Sequence, residues 1–196
     1  MFLVSVENAI LRTTRDFTDF QELPMSSSQH SDIIYDIDYD HQNGLVFWCS
    51  EDREYYGPLH QTHQSIWKAS LNNWQLSKPE KIISMIDCAS LTVDWVNEKI
   101  YWVTHDSGKL IVASYDGYYK ITLLWRNLDM LRSVAVSPLS GHIFWSDAGT
   151  DPHIGRGNMD GSQQMFLLKG QLHGLLIFQT FCLSIMHMVD TNLKYI

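Results

Sequence analysis

Two histidines carry the most distinctive titratable chemistry in this 196-residue sequence. His60 and His63 lie in an acidic stretch that also contains Glu51, Asp52 and Glu54. Histidine changes its charge between pH 5 and 8, so the stretch could form a pH-sensitive surface. The spacing of the two histidines also permits a metal-binding pair, but no further ligands accompany them, which argues against a metal site. A solvated polar loop is the plainer alternative.

Motifs for catalysis are absent from the sequence. No serine stands in a Gly-x-Ser-x-Gly context, no cysteine is grouped with a histidine, and no His-Glu-x-x-His is present. Nucleophilic catalysis needs a positioned Ser or Cys with a base and an orienting group. Phosphate-cradling glycine loops are missing as well. We therefore predict a non-enzymatic protein without a cofactor or a metal site.

The chain is acidic, and this charge narrows the classes of partner. The formal net charge is −8 and the pI is about 5.5. An acidic chain gains no counterion-release energy from a phosphate backbone, so we do not expect a nucleic-acid partner. A basic protein ligand, in contrast, would be steered toward the chain.

The three cysteines form no recognisable framework. Cys49, Cys88 and Cys182 have an odd count and a scattered spacing, which fits neither a set of disulfides nor a zinc site. Cys49 and Cys88 could pair in an oxidising compartment. Two buried thiols in strands are the alternative interpretation.

A Trp-centred pattern occurs three times along the chain. In each copy a strand, a tight turn rich in Asn, Gly or Ser and a second strand follow one another. Such turn residues tolerate the backbone conformations that short hairpins need. The second strands contain the pairs Phe47-Trp48, Tyr101-Trp102 and Phe144-Trp145, whose Trp residues are 54 and 43 residues apart.

Each copy then continues with a third strand, a turn and a final apolar strand. Two of these turns, Asp116-Gly117 and Asp160-Gly161, are strong hairpin signals. Four strands repeated at about 43 residues are typical of a propeller blade. The first interval is longer because residues 50–65 form an insertion, and no helical periodicity appears in these units.

The N-terminal stretch fits the same scheme. Residues 2–6 and 9–13 are predicted strands, and residues 16–20 occupy the turn-and-strand position that follows them. They would form the outer part of a blade whose first strand lies elsewhere. The stretch lacks the basic region and long apolar core of a signal peptide.

These residues resemble the low-density lipoprotein receptor class B repeat, whose signature is Tyr-Trp-Thr-Asp. The match is close from Leu91 to Trp102 and from Arg132 to Asp147. The resemblance implies an all-β, YWTD-type β-propeller, which has six blades in the family. Residues 1–170 would then supply a partial propeller of three to four blades, with blades around 31–84, 85–128 and 129–170.

The resemblance also implies roles for the repeated residues. The aspartates Asp38, Asp94 and Asp147 would help to hold neighbouring blades together. Large aromatic side chains dominate such cores, so the three tryptophans would be packing residues. These are Trp48, Trp102 and Trp145. The signature aspartate is kept only at Asp147, and the first-strand aspartate is replaced by Ser137 in the third copy.

Ligand binding in this family uses the end of the propeller where first strands begin and second strands end. By repeat position, the candidate binding residues here are His105, Trp125, Asp129 and Arg132, with Asp147 beside them as a packing residue. Family propellers also take part in acid-triggered ligand release, which adds interest to the pair His60 and His63 as a pH sensor.

The tail over residues 171–196 departs from the repeat. Its apolar stretch, residues 172–189, is near the lower length limit for a bilayer span but contains His, Gln, Thr and Ser, which disfavour insertion. A degenerate blade or a sequence foreign to the fold is the preferred interpretation, and a membrane contact through this tail is the weaker one.

The resemblance implies a non-catalytic, extracellular protein-binding module of an endocytic lipoprotein-receptor-related receptor, of which this chain would be a fragment or truncated product. The partners would be protein ligands and neighbouring receptor modules, with a membrane reached through the parent receptor. Two alternatives stay open. One is the ectodomain of a signalling receptor, such as a Wnt co-receptor or a receptor tyrosine kinase, and the other is a structural spacer.

Overall fold

The computed structural model describes residues 2–6, 9–14, 18–24, 33–52, 63–105 and 107–170. The chain divides into two compact units, Met1–Cys88 and Ala89–Ile196. In the described residues every regular element is a β-strand, so the predicted all-β class is confirmed. Most of the insertion, with His60, and the whole tail from residue 171 lie outside the described residues.

The first unit contains two antiparallel sheets. One has the order β1-β2-β3, and the other has β4-β5-β6 with both β7 and β8 paired to β6. The strands are β1 (Phe2–Val6), β2 (Ala9–Thr13), β3 (Phe20–Glu22), β4 (Ile34–Asp40), β5 (Leu45–Asp52), β6 (His63–Asn72), β7 (Gln75–Leu76) and β8 (Glu80–Ile86). The two predicted N-terminal strands are confirmed.

The insertion begins and ends as a continuation of the β5–β6 hairpin. Beyond Ser50 and Ser65, the register adds the pairs Glu51 with Gln64 and Asp52 with His63. The sequence predicts an insertion over residues 50–65, where the repeat pattern is interrupted. Because backbone pairing continues past the point where the repeat pattern stops, the strands are longer than the pattern indicates.

Both described cysteines are buried free thiols. The Sγ of Cys49 lies 3.9 Å from the carbonyl oxygen of Cys88, and both side chains are almost inaccessible to solvent. Burial and the neighbouring Cys49 raise the pKa of the Cys88 thiol well above its usual range. Of the two interpretations left open by the sequence, the structure therefore has the unbonded one.

The second unit contains two four-stranded antiparallel meanders, with the orders β9-β10-β11-β12 and β13-β14-β15-β16. Their strands are β9 (Ser90–Asp94), β10 (Lys99–Val103), β11 (Leu110–Ser114), β12 (Lys120–Leu124), β13 (Leu131–Ser137), β14 (His142–Asp147), β15 (His153–Asn158) and β16 (Met165–Lys169). Each sheet is a complete strand–turn–strand series of the kind that the repeat predicted.

An apolar core joins the two sheets of the second unit. Tyr101 and Val112 of one sheet belong to the same buried cluster as Val134 and Trp145 of the other. The Trp145 indole lies directly over Gly155, where any Cβ would overlap the ring. Glycine is therefore required on β15 because the tryptophan occupies the place of a side chain there.

The residue equivalent to Asp94 in the first unit is Asp40, not Asp38. Asp94 is the last residue of β9, and its carboxylate accepts from the amides of Val96 and Asn97, each at 3.1 Å. Asp40 closes β4 in the same way and accepts from the backbone amides two and three residues further on, at 2.9 and 3.0 Å.

The matching of Asp38 to Asp94 in the sequence is thus wrong by two residues. The carboxylate of Asp38 accepts from the next amide, that of Tyr39, at 2.7 Å. Only an aspartate at the last strand position can reach around the turn, and Asp40 and Asp94 both pair with the first residue of the following strand. The recurrence of Asp at every second position of β4 made this assignment ambiguous in the sequence.

Candidate functional site

The two sheets of the second unit each have a turn end and a loop end. The turn end holds the tight hairpins, residues 95–98, 115–119, 138–141 and 159–164. The loop end holds the longer connections, residues 104–109, 125–130 and 148–152. Since first strands begin and second strands end at the loop end, this is where the resemblance puts the candidate binding residues.

The structure brings His105 and Arg132 into contact at the loop end. One guanidinium nitrogen of Arg132 lies 2.8 Å from Nε2 of His105, and the other donates to Sδ of Met130 at 2.9 Å. Because a guanidinium only donates hydrogen bonds, His105 must accept through Nε2.

Trp125 lies on the same end as an exposed aromatic surface. Its residue is 54% exposed, and the guanidinium carbon of Arg126 lies 5.3 Å from the ring centroid. A cation over an indole face is a weak attraction at an exposed site. An exposed Trp flanked by Arg is a composition that is typical of protein interfaces.

Asp147 is a buried side chain that holds the loops of the loop end together. It is 1% exposed, and its carboxylate accepts hydrogen bonds from three backbone amides. These belong to Asp129 at 2.7 Å, Met130 at 3.0 Å and Gly149 at 2.8 Å. The side chain thus links the connection between β12 and β13 to the loop between β14 and β15. This is a structural role.

Asp129 is held by the same set of loops but keeps its carboxylate at the surface. Its Oδ2 accepts from the amide of Thr150 at 2.9 Å. Gly149 packs so closely against the Asp129 side chain that a Cβ at that position would overlap it. The position of this exposed carboxylate is therefore fixed by neighbouring backbone.

A cavity of about 490 Å³ opens beside Asp129. Its lining includes Asn127, Asp129, Asp151, His153, Phe166 and Lys169. Five of these six residues, all except Asp129, were not candidates in the sequence analysis. No repeat position marks them, because the cavity forms where the end of β16 comes beside the β14–β15 loop.

His153 is a buried polar residue in the lining of this cavity. It is 3% exposed, and its Nδ1 lies 2.7 Å from the carbonyl oxygen of Asp151. Its Nε2 is buried and has no hydrogen-bond partner among the described residues. The ring of Phe166 stands edge-on to the imidazole at a centroid distance of 4.7 Å.

Lys169 closes the rim of the cavity. Its Nζ lies 3.1 Å from Oδ2 of Asp151 and 3.7 Å from the centroid of Phe166. Both partners of the salt bridge are largely exposed, so the ion pair contributes little to stability. It shows instead that this rim has the right groups to hold an ammonium.

Metal binding has no support in the part of the chain that the structure describes, where no group of three or more His, Cys, Asp or Glu could hold an ion. The predicted pH-sensing pair stays untested. His60 lies outside the described residues, and of His63 only the backbone position at the start of β6 is described.

The match to a known family falls on the second sheet of the second unit. The model for the low-density lipoprotein receptor repeat class B matches residues 141–175, which include β14, β15 and β16. The chain carries this class B repeat. The resemblance found in the sequence is therefore confirmed, and the repeat is the one that contains Trp145 and Asp147.

Two curated relatives are receptors. Low-density lipoprotein receptor-related protein 5 of Mus musculus is 28% identical over 116 residues, which is 59% of this chain and 7% of that protein. The vitellogenin receptor of Solenopsis invicta is 37% identical over 97 residues, 48% of this chain and 5% of that protein. The chain thus corresponds to a small part of the length of each relative.

Solved structures share the fold. The crystal structure of a nidogen/laminin complex contains a chain with a TM-score of 0.72 and 21% identity, over 87% of this chain and 62% of that one. An auxiliary nutrient binding protein from Bacteroides thetaiotaomicron gives a TM-score of 0.60 at 8% identity, over 84% of this chain and 38% of that one. The predicted β-propeller fold is therefore confirmed.

The comparisons agree with a module of a non-enzymatic, ligand-binding receptor family. Among the described residues, no helix is long and apolar enough to cross a membrane. The predicted apolar stretch at residues 172–189 lies outside those residues.

Proposed function

We propose that this chain is part of an extracellular, protein-binding propeller of an endocytic receptor related to the low-density lipoprotein receptor. The carrying observation is the loop end of the second unit, where the hydrogen-bonded pair His105 and Arg132 lies at the same end as the exposed Trp125 and the carboxylate of Asp129. Trp and Arg are enriched among the residues that dominate binding energy.

The relatives support this assignment, since both are receptors and one is a low-density lipoprotein receptor-related protein. Protein ligands and neighbouring receptor modules are the partners that it implies. The acidic balance of the chain would favour a ligand with a basic surface.

A binding experiment tests the proposed surface. Vitellogenin, the ligand in the name of one relative, is the probe, and the 196-residue chain is immobilised for biolayer interferometry. We expect Trp125→Ala and Arg132→Ala to weaken binding by about tenfold, because truncating an interface hot spot removes at least 1–2 kcal/mol.

The matched control is Tyr118→Ala. Tyr118 is 86% exposed and lies at the turn end, so its loss should leave the affinity unchanged. Loss of binding in Tyr118→Ala with normal binding in the loop-end variants would contradict the proposed surface. Absence of vitellogenin binding by the unaltered chain would count against a lipoprotein-receptor type of ligand.

A second experiment addresses location and uptake. An antibody against the exposed residues 118–121 is added to intact cells that make the natural gene product. The proposal expects surface labelling in the cold and internalised label after warming. Lack of surface labelling contradicts the extracellular assignment, whereas stable surface labelling without uptake contradicts the endocytic one and favours a signalling receptor.

A further inference from the structure

The cavity beside His153 is a separate recognition element of the loop end. We propose that it binds a basic side chain of the protein ligand, an ammonium or a guanidinium group. This inference rests on the proposed protein-binding function and adds the chemistry of the ligand group that enters the cavity. Three observations carry it, namely the polarity of the His153 ring, the charge of the lining and the position of Lys169.

The first observation is the orientation of His153. Its Nδ1 is 2.7 Å from a carbonyl oxygen, which can only accept a hydrogen bond, so Nδ1 carries the proton. In the neutral ring Nε2 is then an acceptor. His153 lines the cavity, and its Nε2 is buried and has no hydrogen-bond partner among the described residues. A ligand that donates a hydrogen bond satisfies it, and an anion does not.

The second observation is the charge of the lining. The lining contains one ammonium, that of Lys169, and three carboxylates, those of Asp129, Asp147 and Asp151. The oxygens of Asp147 already accept three backbone amides, but Asp129 accepts one and remains exposed. The cavity therefore has a net negative lining, with an accessible carboxylate at its mouth.

The third observation is the way in which Lys169 is bound. Its Nζ rests on the face of Phe166 and against Asp151, a combination of aromatic face and carboxylate that suits any ammonium or guanidinium. At about 490 Å³, the cavity is within the range of small-ligand sites. The ligand group would approach between Asp129 and His153, with Lys169 as a neighbour that competes with it.

Short peptides serve as probes. The tripeptides Gly-Lys-Gly and Gly-Arg-Gly, with both ends blocked, are compared with Gly-norleucine-Gly and Gly-Glu-Gly. The readout is the ¹⁵N chemical shift of the His153 ring in the 196-residue chain labelled at histidine, assigned with His153→Gln. We expect a saturable shift of Nε2 with the lysine and arginine peptides, on the order of millimolar affinity for so small a contact.

The result that would overturn the proposal is equally direct. An Nε2 shift of equal size with the norleucine peptide would make the cavity an apolar site. A larger shift with the glutamate peptide would make it an anion site. Absence of a saturable shift with all four peptides would mean that the cavity takes no side chain of this size.

Two variants give effects of opposite sign. Asp129→Asn should weaken lysine-peptide binding about threefold to tenfold, because it removes the accessible carboxylate. Lys169→Met should strengthen it by a similar factor, because it removes the competing ammonium and frees Asp151. An anion site would reverse both signs. Asp116→Asn at the turn end is the matched control and should change nothing, and unchanged amide spectra show that each variant is folded.

The vitellogenin experiment separates this inference from the proposed function. Peptide binding without vitellogenin binding would support the cavity chemistry and contradict the receptor function. Vitellogenin binding that depends on Trp125 and is unaffected by Asp129→Asn and Lys169→Met would support the function and contradict the cavity as part of it.

Discussion

The turn end and the loop end of the second unit are built from the same strands but treat their polar groups differently. At the turn end, each hairpin is stabilised by a hydrogen bond of a side chain that belongs to the same turn. Asp94, Asp116 and Asp160 each accept from the amide two residues further on, at 3.1, 2.9 and 2.9 Å. In the remaining turn the hydroxyl of Ser140 lies 2.7 Å from that of Ser137.

The turn end is also joined across the two sheets. The hydroxyl of Tyr101 donates to the carbonyl oxygen of Met159 at 3.3 Å. Burial, followed by the nearby charges of Asp94 and Asp160, raises the pKa of the Tyr101 hydroxyl above its usual range. It therefore stays protonated and remains a donor at any physiological pH.

At the loop end, hydrogen bonds cross between loops that are distant in sequence. Asp147 binds amides 17 and 18 residues before it, and Arg132 meets His105 from 27 residues away. His153 keeps a buried acceptor without a partner in the described part of the chain. The local turns satisfy their own hydrogen-bonding groups, whereas the loops leave polar groups that a ligand can reach. We therefore infer that the turn end contributes stability and the loop end contributes recognition.

The largest expected effect is at the loop end. Asp147→Ala would leave three backbone amides, whose hydrogen bonds are partly buried, without an acceptor, at about 1–3 kcal/mol for each amide that water does not reach. We expect a loss of at least about 3 kcal/mol in the free energy of unfolding, measured by urea denaturation. Asp147→Asn keeps an acceptor oxygen and should lose less. A loss of under about 1 kcal/mol in Asp147→Ala would show that the loops are held by other contacts.

A smaller loss is expected at the turn end. Asp94→Ala removes hydrogen bonds to Val96 and Asn97, whose residues are exposed, so water replaces part of what is lost. At about 0.5–1.5 kcal/mol for each bond, the change should be about 2 kcal/mol. The same urea titration measures it. A loss that exceeds that of Asp147→Ala would reverse the ranking of the two ends.

A gain in stability should follow from completing the weakest turn. The double substitution Ser137→Asp with Ser140→Asn would install the pair that Asp94 and Asn97 form in the preceding sheet, where Asn97 Nδ2 donates at 2.8 Å. We expect about 0.5–1 kcal/mol, or about 2 °C in Tm by calorimetry. An unchanged or lower Tm would mean that this turn cannot accept the aspartate geometry.

The smallest effects should come from exposed aromatic residues. Trp125→Ala and Tyr118→Ala should each change the free energy of unfolding by less than about 0.5 kcal/mol, since neither side chain is buried. Only the former should affect vitellogenin binding. Destabilisation of more than about 1 kcal/mol by Trp125→Ala would identify Trp125 as a packing residue and weaken the proposed interface.

Local sequence was sufficient for the elements of this fold. The Asp-Gly turns at Asp116 and Asp160 predict hairpins that the structure has, because both glycines adopt the positive φ that such turns need, 73° and 84°. The pattern of residues along a strand was misleading where more than one aspartate could occupy the same repeat position. In β4, aspartates occupy every second position, and only the Asp-x-x-Asn spacing that Asp40 shares with Asp94 marks Asp40 rather than Asp38 as the residue that closes the turn.

The candidate site was only partly accessible from the sequence. Repeat position led to His105 and Arg132, which the structure brings within hydrogen-bonding distance. It did not lead to His153 or Lys169, because their meeting depends on how β16 pairs with β15 and where the β14–β15 loop returns. Contacts between such distant segments have no local sequence signal.

The sequence by itself determined the repeat, its turns and the class of fold, since these follow from short-range backbone preferences and from the spacing of large aromatic residues. Tertiary structure decided which aspartate is hydrogen-bonded to backbone amides and which remains available to a ligand. Asp147 and Asp129 have the same chemical group, but one is buried under three donors and the other lies at the mouth of a cavity. Burial and hydrogen-bond geometry, which only the assembled sheets create, make that difference.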